Sequence, residues 1–523
     1  MANLPRRSFL KTIGSAAVAT ALPHVILGAQ SQKRSVAVLW EPGFRHVNGC
    51  DISRETLQQA LGENFTVQFF GERDLIAQLD PTRFDLLVTP YGSAFPKRFW
   101  NTLLKYLRAG GNWLNIGGVP LENAVVRDGS SWSIEPAQTT YHKRLGITHS
   151  FLVDTSTYKV ADSAFASGFK AEKVFELYVR LSSTNNEPDE AGSDGPHEGI
   201  VHPLVSIVNG NGRRVAAPVI QIDRLLGDFA GGCWVFANFS GSIEASLIST
   251  LAERAAQGAS RFEVRTDFVS YKQGEIPVLT VEVLRPKGDL QKLAKSDFYV
   301  HVIDKTGAVV SRFNARLYVD GSKATVSGEI YDAAKFPPGF YKLEGRSDFN
   351  SLTHTSGFWI YDEALLARGK PLTVDKHFFY RDGRVFPVTG TTYMASDKHR
   401  RFLFEPNPGV WDNDFRAMKE AGVNLVRTGI WTGWKKYMPS PGKVDEAVLR
   451  AFDAFLLTAH NYDIPVIFTF FAFLPETWGG ENAYLDPRAV KAQQQFVSAF
   501  SERCRHIDDV LWDFINEPSF CSP

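Results

Sequence analysis

The feature that most constrains this chain is a change of hydrophobic rhythm along its length. From Ser35, short β-rich runs alternate with helical ones: SVAVLW at 35–40, FTVQFF at 65–70, FDLLVTP at 84–90 and NWLNIGG at 112–118. Such alternation predicts a parallel sheet covered by helices. Trp100, Leu103, Leu104 and Leu107 recur at helical spacing before the stop Gly110-Gly111, and CWVFANF followed by a helical run to Gln257 completes the layer. After Ser260 the pattern becomes all-β, with FEVRTDFVSY, PVLTVEVLRP, DFYVHVID, ATVSGEIYD, GFYKLEGRSD and HTSGFWIYD separated by turn residues, as in a sandwich. From residue 376 alternation returns, now with nearly unbroken apolar strands such as PVIFTFFAF at 465–473. Strands of that kind are buried on both faces, as in a (β/α) barrel.

These changes divide the 523 residues into 1–30, 35–258, 260–364 and 376–523, with 364–377 as a connection. Lys plus Arg and Asp plus Glu both number 57, so no global basic field exists to attract nucleic acid or anionic lipid. The four cysteines, Cys50, Cys233, Cys504 and Cys521, lack zinc-finger spacing, and the sequence implies neither metal nor cofactor. The acidic, Gly-rich stretch at 184–199 is read as a solvated loop rather than a calcium site.

In the first thirty residues, Arg6-Arg7 precedes Ser8-Phe9-Leu10-Lys11 and a mildly apolar run from Thr12 to Leu27, too short and too polar for a membrane span. This layout resembles a twin-arginine export signal, which implies a periplasmic or secreted protein with no membrane anchor after signal removal. The segment DLLVTPYGSAFP with its following helix and GGNWLNIGG resembles the glutamine-amidotransferase-like fold. An active member needs a cysteine at a strained strand-to-helix turn. Gly117-Gly118-Val119-Pro120 stands there instead, so the region is expected to be noncatalytic. A thiol hydrolase built on Cys50, with His46 nearby, is a minor alternative.

In the C-terminal part, Asp412 is expected to cap a helix ending at Gly422, NLVRTGIW (424–431) to form a strand, and 445–461 to form a helix. Asp486 then caps a helix with Pro487 at its first position, and VLWDFINEP follows as a strand. With VFPVTGTTY counted as the first strand, VLWDFINEP is the fourth. Its end, Asn516-Glu517-Pro518, resembles the motif that clan A glycoside hydrolases carry at the end of their fourth strand. The resemblance implies a retaining TIM-barrel β-glycosidase in which Glu517 is the general acid and then base. Asn516 would bind the sugar hydroxyl beside the reacting carbon, and Arg427 would orient the partner carboxylate. The chemistry agrees, because breaking a glycosidic bond needs a proton on the departing oxygen.

Trp431, Trp434, Trp478 and Tyr393 are candidates to line sugar subsites, since flat aromatic faces stack on sugar rings. Trp512 is assigned to the core, and Glu476 ranks below Glu517. A complete barrel of this type takes about 250 residues, and the family draws its nucleophile from the seventh strand. The chain is therefore expected to be an incomplete (β/α)8 barrel, inactive alone, that acts on β-linked oligo- or polysaccharides; a homo-oligomer is compatible with it. The competing expectation is a noncatalytic carbohydrate-binding or assembly protein with a degenerate half-barrel.

Overall fold

A computed structural model of the chain describes residues 33–129, 131–155, 159–161, 163, 165–181, 198–285, 296–321, 323–347, 353–431, 437–471 and 485–517. The export-signal motif and nearly all of the 184–199 loop lie outside the described residues. So do Trp434, Glu476, Trp478, Pro518 and Cys521. Among the described residues, no helix is long and apolar enough to cross a membrane.

The molecule is sheet-rich and layered. Its first region is built on an eight-stranded sheet. The strands Phe65–Phe70, Arg34–Leu39, Leu86–Thr89, Trp113–Ile116 and Cys233–Ala237 lie side by side and parallel. The antiparallel strands Arg214–Arg224, Gly199–Val208 and Lys159–Val160 extend one edge. Parallel strands of this kind are covered on both faces. One face packs on Leu57, Leu61, Ile248 and Leu251 of the helices Arg54–Gly62 and Ala245–Ala255. The other packs on Phe99, Leu103 and Leu107, from the segment in which helix Trp100–Arg108 begins. A second sheet, carrying Ile147–Val153 and Phe169–Val179, adds to this region.

The all-β expectation is met by two sheets, one of four strands and one of five, with Val264, Val281, Phe298, Leu343 and Phe358 buried between them. In Val278–Leu284 burial alternates residue by residue, as a half-buried strand requires.

A tight hairpin, Phe379–Arg381 with Arg384–Val385, opens the C-terminal region; its turn residues Asp382 and Gly383 both adopt positive φ. Four parallel strands then follow in sequential order: Gly390–Thr392, Leu425–Gly429, Val466–Phe471 and Val510–Ile515. Helices Pro408–Glu420, Glu446–Asn461 and Pro487–Arg503 connect them. Asp486 caps the last helix by accepting from Arg488 N, with Pro487 at the first position. Asp412 does not cap the first. Asn407 does, accepting from Gly409 N and Val410 N, and Asp412 lies one turn inside, where it accepts from Tyr462 Oη at 2.7 Å. Pro408 decides this, because its fixed φ suits the first helical turn and places Asn407 ahead of it.

The helix layer is docked on the sandwich. Trp359 Nε1 donates to Thr458 Oγ1 at 3.0 Å, and Arg450 donates to both carboxylate oxygens of Glu275 at 2.8 and 3.0 Å. Phe452, Phe468, Phe470, Phe500 and Trp512 pack between sheet and helices, with Phe470 and Trp512 stacked at 5.0 Å. Trp512 is thus a core residue. Its packing fixes the rotation of the fourth strand and therefore which of its residues face the opposite side.

Candidate active site at the ends of four parallel strands

Side chains alternate across a strand, so Val426, Thr428, Phe468 and Phe470 turn inward to the helices while Arg427, Thr469 and Asp513 share the other face. The register puts Thr469 directly beside Asp513 and Arg427 beside Ile467. Gly429 permits the close approach of these strands, since a Cβ there would lie 2.2 Å from Thr469 O.

The polar face is organised by one carboxylate oxygen. Asp513 Oδ2 accepts from Arg427 Nη2 at 2.6 Å, from Arg427 Nε at 3.1 Å and from Thr469 Oγ1 at 2.8 Å. Arg427 Nη2 also donates to Asn516 Oδ1 at 3.0 Å. Both members of the ion pair are about 30% exposed, at 31% and 28%, so the pair is screened and contributes of the order of 1 kcal/mol rather than several. The buried face of Trp431 covers the guanidinium at 5.4 Å, a cation–π contact.

At the strand end, Asn516 N donates to Phe471 O at 2.8 Å, which continues the sheet by one residue. The chain then turns away. Glu517 has φ +47°, in the left-handed region that non-glycine residues seldom occupy, and its side chain is exposed. Strain of this kind at a strand end is a pointer to function.

Three of the sequence candidates, Arg427, Asn516 and Trp431, are brought into contact here, and Glu517 is the next residue along the chain from Asn516. Arg427 was expected to serve a partner carboxylate; in the structure its Nε and Nη2 are engaged by Asp513 and Asn516. Tyr393 sits elsewhere. It is 4% exposed, packs on Phe402, Phe415 and Phe455, and donates its hydroxyl to Asp414 at 2.9 Å. Burial and the neighbouring carboxylate hold that phenol well above its ordinary pKa, so it is a packed residue and not a subsite wall. Asp513 and Thr469 were not singled out from the sequence. The available signal was a lone acid in VLWDFI at the alternation position opposite Trp512.

The other region with parallel strand ends is closed. Cys50 is 3% exposed, with Sγ 3.6 Å from Phe239 O, and burial pushes its thiol up to about 12. His46 packs edge-on against Tyr91 at 4.7 Å, and burial lowers its pKa. Around it, Gly92, Gly117 and Gly118 all have positive φ and are packed so tightly that a Cβ on Gly92 would meet Val47 O at 2.2 Å. A protonated, covered thiol is no nucleophile. A cavity of about 810 Å³ lies between this region and the sandwich, and its lining includes Arg261, Glu263, His354 and Lys398 but none of the residues around Asp513.

No protein-family model matches the chain. A stretch of 36 residues is 58% identical to β-galactosidase BbgII of Bifidobacterium bifidum, covering 7% of this chain and 5% of that protein. The chain thus spans a small fraction of the curated relative it matches. Among solved structures it is similar to the β-glucuronidase of Parabacteroides merdae, at 15% identity and TM-score 0.20 over 50% of this chain and 29% of that one. It is also similar to the exo-β-1,4-mannosidase Op5Man5 of Opitutaceae bacterium strain TAV5, at 19% identity and TM-score 0.26 over 28% of each chain.

Proposed function

We propose that this chain carries the acid/base side of an exported retaining β-glycosidase, with β-galactosides as its first substrate class. The observation that carries the reading is the Arg427–Asp513–Asn516 cluster on the second and fourth of four sequential parallel strands, with Asn516 just past the carboxyl end of the fourth and an exposed glutamate on left-handed backbone immediately after it. Functional groups of (β/α) barrels sit at that end of the strands. The short stretch of identity with a β-galactosidase supports the choice of sugar.

In the proposed mechanism Glu517 donates its proton to the departing glycosidic oxygen, and a second carboxylate attacks the anomeric carbon to form a glycosyl ester. Glu517, now ionised, then takes a proton from the water that hydrolyses the ester. Asn516 donates to the hydroxyl next to the reacting carbon, a bond that strengthens as charge develops. The second carboxylate must stand about 5 Å from Glu517, across the cleft in which the sugar sits. The twin-arginine motif at Arg6-Arg7 delivers the folded protein across the membrane, and the first α/β region serves as a noncatalytic unit.

The test is hydrolysis of 4-nitrophenyl β-galactoside by the protein, wild type against Glu517→Gln. Wild type turns over with retention of configuration, and Glu517→Gln loses at least about a hundredfold. Inversion of configuration, or full activity of Glu517→Gln, contradicts the proposal.

A further inference from the structure

The contacts around Asp513 bear on which sugars the site accepts, and the inference rests on the glycosidase reading above. A guanidinium donates hydrogen bonds and accepts none. The atom of Asn516 that faces Arg427 Nη2 at 3.0 Å is therefore its carbonyl oxygen, and the amide cannot be turned over without setting donor against donor. The Nδ2 hydrogens are directed elsewhere, and among the described residues no acceptor takes them. Arg427 is in turn held by Asp513 Oδ2, which receives Nε, Nη2 and the hydroxyl of Thr469. Because Thr469 and Asp513 are registered neighbours on the third and fourth strands, the sheet itself fixes this carboxylate.

We infer that Asp513, supported by Thr469, is a positioning residue: acting through Arg427, it locks the Asn516 amide as an obligate donor. The site then demands an oxygen lone pair on the substituent beside the reacting carbon, and it refuses a sugar with an ammonium group there. An ammonium has three donors and no acceptor, so it meets the locked NH2 with donor against donor and positive charge near Arg427. Without the lock, the amide is free to turn over and present its carbonyl oxygen, and the discrimination relaxes.

The full chain is tested by calorimetric titration with three probes: methyl β-D-galactoside, its 2-deoxy analogue, and the 2-amino-2-deoxy analogue at a pH where the amine is protonated. Wild type binds the parent sugar about tenfold more tightly than the deoxy sugar, as loss of one hydrogen bond requires, and rejects the ammonium sugar more strongly still. Asp513→Ala brings all three to within about twofold of one another, through a weaker parent sugar and a less disfavoured ammonium sugar. Thr469→Val, nearly isosteric and expected to fold with a melting point lowered only by one lost hydrogen bond, falls between and decides the matter if Asp513→Ala does not fold. Full discrimination in the folded variants overturns the inference, as does tight binding of the ammonium sugar by wild type. Failure of wild type to bind any of the three overturns the glycosidase reading instead.

Discussion

Two regions of this molecule end their parallel strands in loops of unusual backbone, and they differ in what those loops leave open. At the ends of Arg34–Leu39, Leu86–Thr89 and Trp113–Ile116, glycines with positive φ bring backbones together, and Cys50 is sealed beneath them. At the end of Val510–Ile515, the left-handed residue is a glutamate that faces solvent beside a partly exposed ion pair. Strand-end position is shared, so position alone does not make a site. What distinguishes the second region is a set of polar groups that are held by one another and remain accessible.

The largest effect expected from this contrast is at Gly92. Its φ of +69° and the 2.2 Å approach to Val47 O leave no room for a Cβ, so Gly92→Ala is expected to cost about 3 kcal/mol or more, read as a lowered urea midpoint. Arg427→Met comes next. It leaves Asp513 with Thr469 as its one side-chain partner among the described residues, costs about 1–2 kcal/mol in the same assay, and removes galactoside binding. An unchanged affinity would separate the ion pair from the site. The two regions also differ in their response to pH. The Cys50 thiol, at about 12 when folded against about 8.5 in an unfolded chain, stays protonated while the unfolded thiol ionises. Its contribution to stability is therefore complete below pH 8.5 and lost as pH rises toward 12. Native protein at pH 8 should resist iodoacetamide at Cys50, as mass spectrometry would show, and react after unfolding in urea. The smallest effect is that of Cys50→Ala on sugar binding, which is none; a weakened affinity in that titration would revive the closed region as a functional one.

How far the sequence reveals these features depends on whether the deciding physics is local. The helix Pro487–Arg503 was legible because its cap, Asp486, and its first residue, Pro487, are neighbours in the chain. The start of Pro408–Glu420 is harder to read, because Asn407 and Asp412 are both capping residue types and Pro408 gives the role to Asn407. The long antiparallel strand Phe169–Val179 is hard to read, since KAEKVFELYV mixes charges into its pattern and one of its pairing partners, Phe239–Ile243, lies far away in sequence. At the site, Asn516, Glu517 and Arg427 stood out through a motif, whereas Asp513 and Thr469 acquire their role only through the register between two strands. Tyr393 shows the converse: its place after the first strand suggested a pocket, and only the packing of Phe402, Phe415 and Phe455 reveals it as core.

In the proposed site Glu517 stands where a glycosidic oxygen would be. An N-bromoacetyl β-galactosylamine places an electrophilic carbon at that point, and a carboxylate there displaces bromide to form an ester. Peptide mass mapping of the treated 523-residue chain should find one label, on Glu517, suppressed by excess galactose and absent from Glu517→Gln. Labelling at other carboxylates with Glu517 untouched, or labelling that galactose does not suppress, would contradict the account.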